Sequence, residues 1–457
     1  MNRTKTYNII TFGCQMNEHD SETISGMLLQ RGYMQVGEDT AAEADIVIIN
    51  TCSIRENADK RFFGTLGQLK KIKAKNPDFV VCVCGCMMQQ EHIISKVKSS
   101  YPWVDVIFGT HNIHEFPEML EELYEARLKK GNNSRSSRET RVARVYEDRD
   151  AIVEGLPAER LYRHKSFVNI IYGCNNFCTY CVVPYTRGRE KSRLPEDILS
   201  EVRNLVADDV KEITLLGQNV NSYRGGDMDF TDLIYALSEI EGLERIRFMT
   251  YHPKDLSDRL IEAFAKCHKL CNYIHLPVQA GSSEVLRRMN RKYSREQYIE
   301  LVRKLREAVP GIAISTDIIV GFPGESEEDF LETLSLAEQV GYDSAFTFLY
   351  SPRKGTPAAD YEDQIPEDIK HDRFNRLVDV INASAAAKNE AYIGKTCEVL
   401  VEGFAKKGRD TLAGRTDSFK LVDISLPEGS SPENFIGKIL SVKITDANTF
   451  SLKGRIE

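Results

Sequence analysis

Between residues 167 and 350 six short apolar runs alternate with amphipathic stretches of helical period. The runs are FVNIIYG (167–173), EITLLGQN (212–219), RIRFMTYH (245–252), YIHLPVQ (273–279), AISTDIIVGFP (313–323) and SAFTFLY (344–350). Between them lie PEDILSEVRNLVADD, TDLIYALSEIEG, SDRLIEAFAKC, SREQYIELVRKLREA and SEEDFLETLSLAEQV. Runs apolar along most of their length are buried on both faces, so they belong to a parallel sheet covered by helices. Six βα units in succession predict a partial β/α, TIM-like barrel, with its chemistry at the carboxyl ends of the strands.

The flanking segments read differently. TYNIITFG (6–13), ADIVIIN (44–50), FVVCVCG (79–85) and VDVIFG (104–109), with helical stretches such as DSETISGMLLQRG (20–32) between them, predict an open α/β domain over 1–128. The stretch KKGNNSRSSRETRVARVYEDRD (129–150) breaks that rhythm and is polar, which predicts a basic linker over 129–160. The barrel domain then spans 161–391 and ends in a long helix. Residues 392–457 hold short β-like runs with Gly, Asp and Asn turns, the pattern of a small all-β barrel. The expected fold class is therefore α/β with a C-terminal β barrel.

The chain has 11 cysteines, and their role depends on compartment. No stretch approaches the roughly 20 apolar residues of a membrane span, and the N-terminus lacks the apolar core of a secretory signal. A cytoplasmic protein without membrane contact is expected. In a reducing compartment its cysteines are metal ligands or core thiols rather than disulfides.

Three cysteines crowd into CNNFCTYC (174–181), on the loop after the first barrel strand. Cys174, Cys178 and Cys181 can hold three irons of a 4Fe-4S cluster and leave the fourth open to a ligand with an amine and a carboxylate. A zinc site borrowing a fourth ligand is the rival reading, and the position at the barrel mouth weighs against it. In the N-terminal domain three strands each deliver one cysteine at the carboxyl end: Cys14, Cys52 and Cys86. Cys82 and Cys84 compete for the third place, but they sit inside the strand on one face and read as core thiols. Cys267, Cys271 and Cys397 read as core or incidental.

The motifs TFGCQMNEHDSE, NTCSIRENA, CGCMMQQ, YGCNNFCTYCVVPYTRGREKSR, HLPVQAGS, STDIIVGFPGES and YSPRKGTPAA together resemble the methylthiotransferases. These are radical S-adenosylmethionine (SAM) enzymes with an N-terminal cluster domain and a C-terminal TRAM domain. The resemblance covers nearly the whole chain, and QMNEHDSE after the first cysteine is most similar to the MiaB-type branch. It implies methylthiolation, at carbon 2, of N6-isopentenyladenosine 3′ of the anticodon. The implied cofactors are two 4Fe-4S clusters and SAM, which serves as methyl donor and radical source. Cys14, Cys52 and Cys86 would ligate the auxiliary cluster, and Cys174, Cys178 and Cys181 the radical cluster. Tyr180, Gln218 and Asp317 are the SAM-binding candidates. No side chain is assigned as catalytic, because the clusters and SAM carry the chemistry. The implied partners are a tRNA anticodon stem-loop and an electron donor such as flavodoxin or ferredoxin, with the enzyme a monomer.

A net charge of −8 argues against RNA until charge is read locally. Lys129–Arg144, RGREKSR (187–193) and RRMNRKYSR (287–295) are basic; such runs are usually solvated faces, but these flank the expected mouth and are candidates to face RNA. In the C-terminal barrel, Arg415, Phe419 and Lys420 combine charge with an aromatic ring and are the RNA-binding candidates there, with Phe419 reading equally as a core residue of that barrel.

Overall fold

Alternation along the N-terminal strands assigns their two faces to two separate cores. Tyr7, Ile46, Ile48, Val80, Cys82, Cys84, Val106 and Phe108 pack with Ile24, Leu28, Phe116, Leu120 and Leu123 on one side. Val47, Ile49, Val81, Val83 and Ile107 pack with Phe62, Leu66, Ile93 and Val97 on the other. A sheet buried on both faces is what continuous apolar runs require. The computed structural model describes residues 4–37, 43–53, 56–130, 137–147, 152–249, 251–406, 408, 411–427 and 429–457. It divides into two units: Met1–Leu161 with Tyr172–Asn175 and Cys181–Lys191, and Tyr162–Ile171 with Asn176–Tyr180 and Ser192–Glu457.

The sheet of the first unit has six strands in the order Met34–Gln35, Thr6–Thr11, Ile46–Thr51, Val80–Gly85, Val106–Phe108, Val142–Arg144. Every pairing in it is parallel. From the first strand the chain moves outward to Met34–Gln35, then returns to the other side as Ile46–Thr51. Strand order thus reverses between Thr6–Thr11 and Ile46–Thr51, where open α/β sheets form a ligand crevice at their carboxyl ends. Part of the segment expected to be a linker is built into this sheet. Val142–Arg144 is its sixth strand, paired with Val106–Phe108. Three residues with one buried side chain are too short for periodicity to reveal. Residues 131–136 and 148–151 of that segment lie outside the described residues.

In the second unit, Lys165–Asn169, Glu212–Leu216 and Arg245–Phe248 form one parallel sheet, and Tyr273–His275, Ala313–Val320 and Ser344–Leu349 another. A parallel bridge, Ile246 to Leu270, joins their edges. Among the described residues no pairing closes the sixth strand onto the first, so the barrel is an open arc of six. Val168, Ile213, Leu215, Ile246, Ile274, Ile314 and Ile318 face the surrounding helices and form the largest core. The residues between them, including Arg247, Tyr273, His275, Ser315 and Asp317, face the lumen.

Glu367–Glu390 is a 24-residue helix that leads into a closed five-stranded antiparallel-rich barrel, residues 396–456. That small barrel is seated on the amino-terminal ends of the six strands. Arg245 donates to Arg415 O at 3.0 Å, and Arg247 to Thr416 O and Asp417 O, each at 2.7 Å. Asn272 donates to Asp417 Oδ2 at 2.9 Å, and Tyr273 stacks on Phe419 with centroids 4.8 Å apart.

Candidate metal centres

Each N-terminal cysteine is delivered by the end of a parallel strand. Cys14 caps the helix Gln15–Gln30, Cys52 follows Ile46–Thr51, and Cys86 opens the turn after Val80–Gly85. A polar clasp fixes the crevice between the first two. Asn17 Nδ2 donates to Asn50 Oδ1 at 3.1 Å and to Thr51 O at 3.2 Å. Asn50 Nδ2 returns bonds to Asn17 O at 2.9 Å and Ser21 Oγ at 3.0 Å. Gly85, at φ +93°, lets the chain turn toward the crevice; a Cβ there would lie 2.2 Å from Thr51 O. A Cβ on Gly13 would come within 2.8 Å of Cys52 Cβ.

The thiols are electrostatically distinct. A hydrogen bond with Cys52 holds Cys14 down at about 6, against the opposing effect of burial. Burial pushes Cys86 up, and the Arg187 guanidinium pulls against it. Arg187 Nε donates to Cys86 Sγ at 3.1 Å and its Nη2 to Asp20 Oδ2 at 2.9 Å. Cys82 and Cys84 lie in the core with Phe116 and Leu120, and burial pushes both well above the ordinary thiol range. Fully reconstituted Cys82→Ala and Cys84→Ala proteins should therefore keep all their iron, whereas Cys86→Ala should lose about half. Equal loss in all three, by iron and sulfide assay, would contradict the distinction.

Cys174, Cys178 and Cys181 lie on the loop after Ile171–Tyr172; the first two are buried and the third half-buried. The loop carries Phe177 at φ +47°, a conformation that costs a bulky residue on the order of 1–3 kcal/mol. Asn290 Nδ2 offsets this by donating to Phe177 O at 2.9 Å and Asn176 O at 3.2 Å. Thr179 Oγ1 adds a bond to Arg288 O at 2.9 Å. Arg291 is buried beside Cys178: its Nη1 is 3.5 Å from Cys178 Sγ, its Nη2 donates to Pro277 O at 2.9 Å and its Nε to Tyr293 Oη at 2.8 Å.

Of the SAM candidates, Tyr180 packs against the barrel core, and Gln218 lies two residues beyond Glu212–Leu216. Asp317 faces the lumen, its Oδ2 3.5 Å from His275 Nε2. The RNA candidates of the C-terminal barrel are placed elsewhere than expected. Lys420 is buried in an ion pair with Asp343 at 2.8 Å, and Phe419 is held between Tyr273 and the Arg247 and Arg415 guanidinium groups. These side chains join the two barrels at the amino-terminal end of the strands. Several arginines of the basic runs have partners within the fold. Arg187, Arg193 and Arg291 are buried, Arg193 against Glu201 and Asn169 O. Arg288 pairs with Asp363 and Arg287 with Glu284. Charge counting missed Arg187, Arg291 and His275 as residues around the sites because it cannot see burial.

Three free thiols in each set are the donor chemistry that an iron–sulfur cluster takes. Each thiolate of a cluster binds a different iron, so the sulfurs need not meet at one point. Residues 6–109 match an uncharacterised protein family, UPF0004; residues 168–337 match the radical SAM superfamily and residues 390–456 the TRAM domain. The chain is 54% identical to a tRNA-2-methylthio-N(6)-dimethylallyladenosine synthase of Clostridium botulinum (strain Loch Maree) over 98% of this chain and 96% of that one. To a synthase of the same name from Clostridium perfringens it is 53% identical, over 99% and 98% of the two chains. This chain belongs to that synthase family. The synthase fold is shared with a radical SAM methyltransferase, TsrM, from Kitasatospora setae, solved with cobalamin and a 4Fe-4S cluster. That likeness has a TM-score of 0.54 at 14% identity and covers 78% of this chain and 77% of that chain.

Proposed function

We infer that this chain converts N6-isopentenyladenosine 3′ of the anticodon in tRNA to its 2-methylthio derivative. Cys174, Cys178 and Cys181 hold the radical cluster, and Cys14, Cys52 and Cys86 the auxiliary one. The observation that carries this is the pair of three-cysteine sets, each at the carboxyl ends of parallel strands, in a chain of the synthase family. Carbon 2 of adenine bears only hydrogen, and hydride is a very poor leaving group, so direct substitution is closed. When bound, the clusters and SAM supply the hydrogen-abstracting radical and the methylated sulfur that the side chains cannot.

The protein's work is binding and positioning. Tyr180 and Gln218 at the mouth and Asp317 in the lumen are the residues we assign to SAM. A stacked base is out of reach of such a site, which favours a splayed loop nucleotide. Among the described residues no helix is long and apolar enough to cross a membrane. We assign the enzyme to the cytoplasm as a monomer that takes electrons from a flavodoxin- or ferredoxin-type donor.

The lumen also offers apolar surface for the prenyl group. On the last strand Ala345 and Leu349 face the helices, so Phe346 and Phe348 face inward. Phe346 pairs in register with Asp317, lies edge-on to His275 at 6.1 Å, and is 51% exposed. Burying the prenyl group against such a ring contributes about 1–3 kcal/mol of discrimination. Anaerobic turnover of prenylated and unprenylated anticodon stem-loops tests the reading: the prenylated RNA should be strongly preferred. Phe346→Ala should lower the ratio of the two kcat/KM values by about tenfold. Equal methylthiolation of both RNAs by the unaltered enzyme would refute the substrate, and an unchanged ratio in Phe346→Ala would refute the role of that ring.

A further inference from the structure

Arg187 belongs to a basic run that looks RNA-facing in the sequence, yet its side chain is buried at the N-terminal cysteines. It is 6% exposed, and Asp20 beside it 7%. The segment that delivers it is anchored on both sides: Arg187 N donates to Val183 O at 2.8 Å, and Thr110 Oγ1 to Thr186 O at 3.1 Å. The guanidinium fork is used at two ends, with Nε on Cys86 Sγ at 3.1 Å and Nη2 on Asp20 Oδ2 at 2.9 Å. A buried cation needs a partner, and Asp20 supplies one. The bond to sulfur is not needed to neutralise it. Arg187 is therefore available to a Cys86 thiolate as a charged donor, the stronger kind of hydrogen bond.

We propose that Arg187 is a positioning residue that hydrogen-bonds the Cys86 thiolate of the loaded auxiliary centre and, balanced by Asp20, sets the reduction potential of that centre. This rests on the assignment of Cys14, Cys52 and Cys86 as ligands. Hydrogen bonds to ligand sulfur and nearby positive charge stabilise the reduced, more negative cluster; a nearby carboxylate opposes this. Arg187 and Asp20 then act with opposite signs on one potential, although they are partners in one ion pair. Loss of an ion pair that served packing alone would not separate the two residues in that way.

The test uses the full-length Cys174→Ala/Cys178→Ala/Cys181→Ala protein, reconstituted anaerobically, so that the auxiliary centre is read by itself. Iron content and an EPR-monitored potentiometric titration are measured with Arg187→Gln, Arg187→Lys and Asp20→Asn added in turn. Arg187→Gln should lower the potential and Asp20→Asn should raise it. Each should change the reduced-to-oxidised ratio at fixed poise by about tenfold, ~59 mV for a one-electron couple. Arg187→Lys, which keeps the charge but not the fork, should fall between Arg187→Gln and the parent. Potentials that do not move, or that move the same way in Arg187→Gln and Asp20→Asn, overturn the proposal. Should Arg187→Gln lose its iron, Asp20→Asn and Arg187→Lys decide: opposite shifts support the proposal, and any other pattern overturns it. A parent protein without iron would instead refute the ligand assignment.

Discussion

Replacing Cys174, Cys178 and Cys181 together by alanine should leave about half the iron of the reconstituted enzyme, roughly four of eight atoms, and abolish 5′-deoxyadenosine formation. The remaining iron should depend on Cys14, Cys52 and Cys86, which follow three different strands of a separate sheet. The reciprocal triple variant should also keep about half the iron, but it should still cleave SAM and form no methylthiolated product. The loop in the first variant stays anchored by Asn290 and Thr179, whose bonds run to backbone carbonyls and not to the thiols. Loss of iron can therefore be separated from loss of fold by the Tm. A first variant that keeps full iron would show that these three thiols are not ligands.

Arg247→Ala should destabilise the enzyme by about 3 kcal/mol, because it breaks a buried ion pair and strips two carbonyls of their donor. Arg247 Nε lies 2.9 Å from Glu212 Oε2, an ion pair whose angle falls outside hydrogen-bond geometry, and both residues are buried. Arg245 remains 3.9 Å from the same carboxylate, which keeps the expected loss at the low end for a buried pair. The Tm should fall on the order of 5 °C or more by scanning calorimetry. The same seam changes what a truncation means. The small barrel does not hang free as an RNA-binding arm, because its removal after about residue 392 uncovers Tyr273 and Arg247 and leaves Asp343 without Lys420. The truncated chain should have a lower Tm than the intact one and impaired SAM cleavage. A truncated chain with unchanged Tm and SAM cleavage would contradict this.

What the sequence disclosed follows from the kind of signal each feature leaves. The placement of Cys14, Cys52, Cys86 and the 174–181 loop at strand ends was legible because strand ends can be read from apolar runs, and parallel sheets gather their functional residues at one end. Cys86 could be told from Cys82 and Cys84 because Gly85 marks where the strand stops. The roles of the cations were not legible. A count over RGREKSR registers positive charge, but the structure spends Arg187 on Cys86 and Asp20, and Arg193 on Glu201. The packed surroundings of Phe419 and Lys420 were not legible for a related reason. Alternation in a small barrel tells inside from outside but does not say which part of the outside another domain covers. Val142–Arg144 escaped notice because a three-residue edge strand has no periodicity to find.

The most direct test of the central claim is mass spectrometry of tRNA nucleosides from a strain deleted for this chain, with and without the chain restored. The deletion strain should accumulate N6-isopentenyladenosine and lack its 2-methylthio derivative. Restoring the intact chain should convert one to the other, and restoring the Cys14→Ala/Cys52→Ala/Cys86→Ala variant should not. A deletion strain that retains the 2-methylthio nucleoside, or conversion by the cysteine variant at the intact chain's level, would contradict the account.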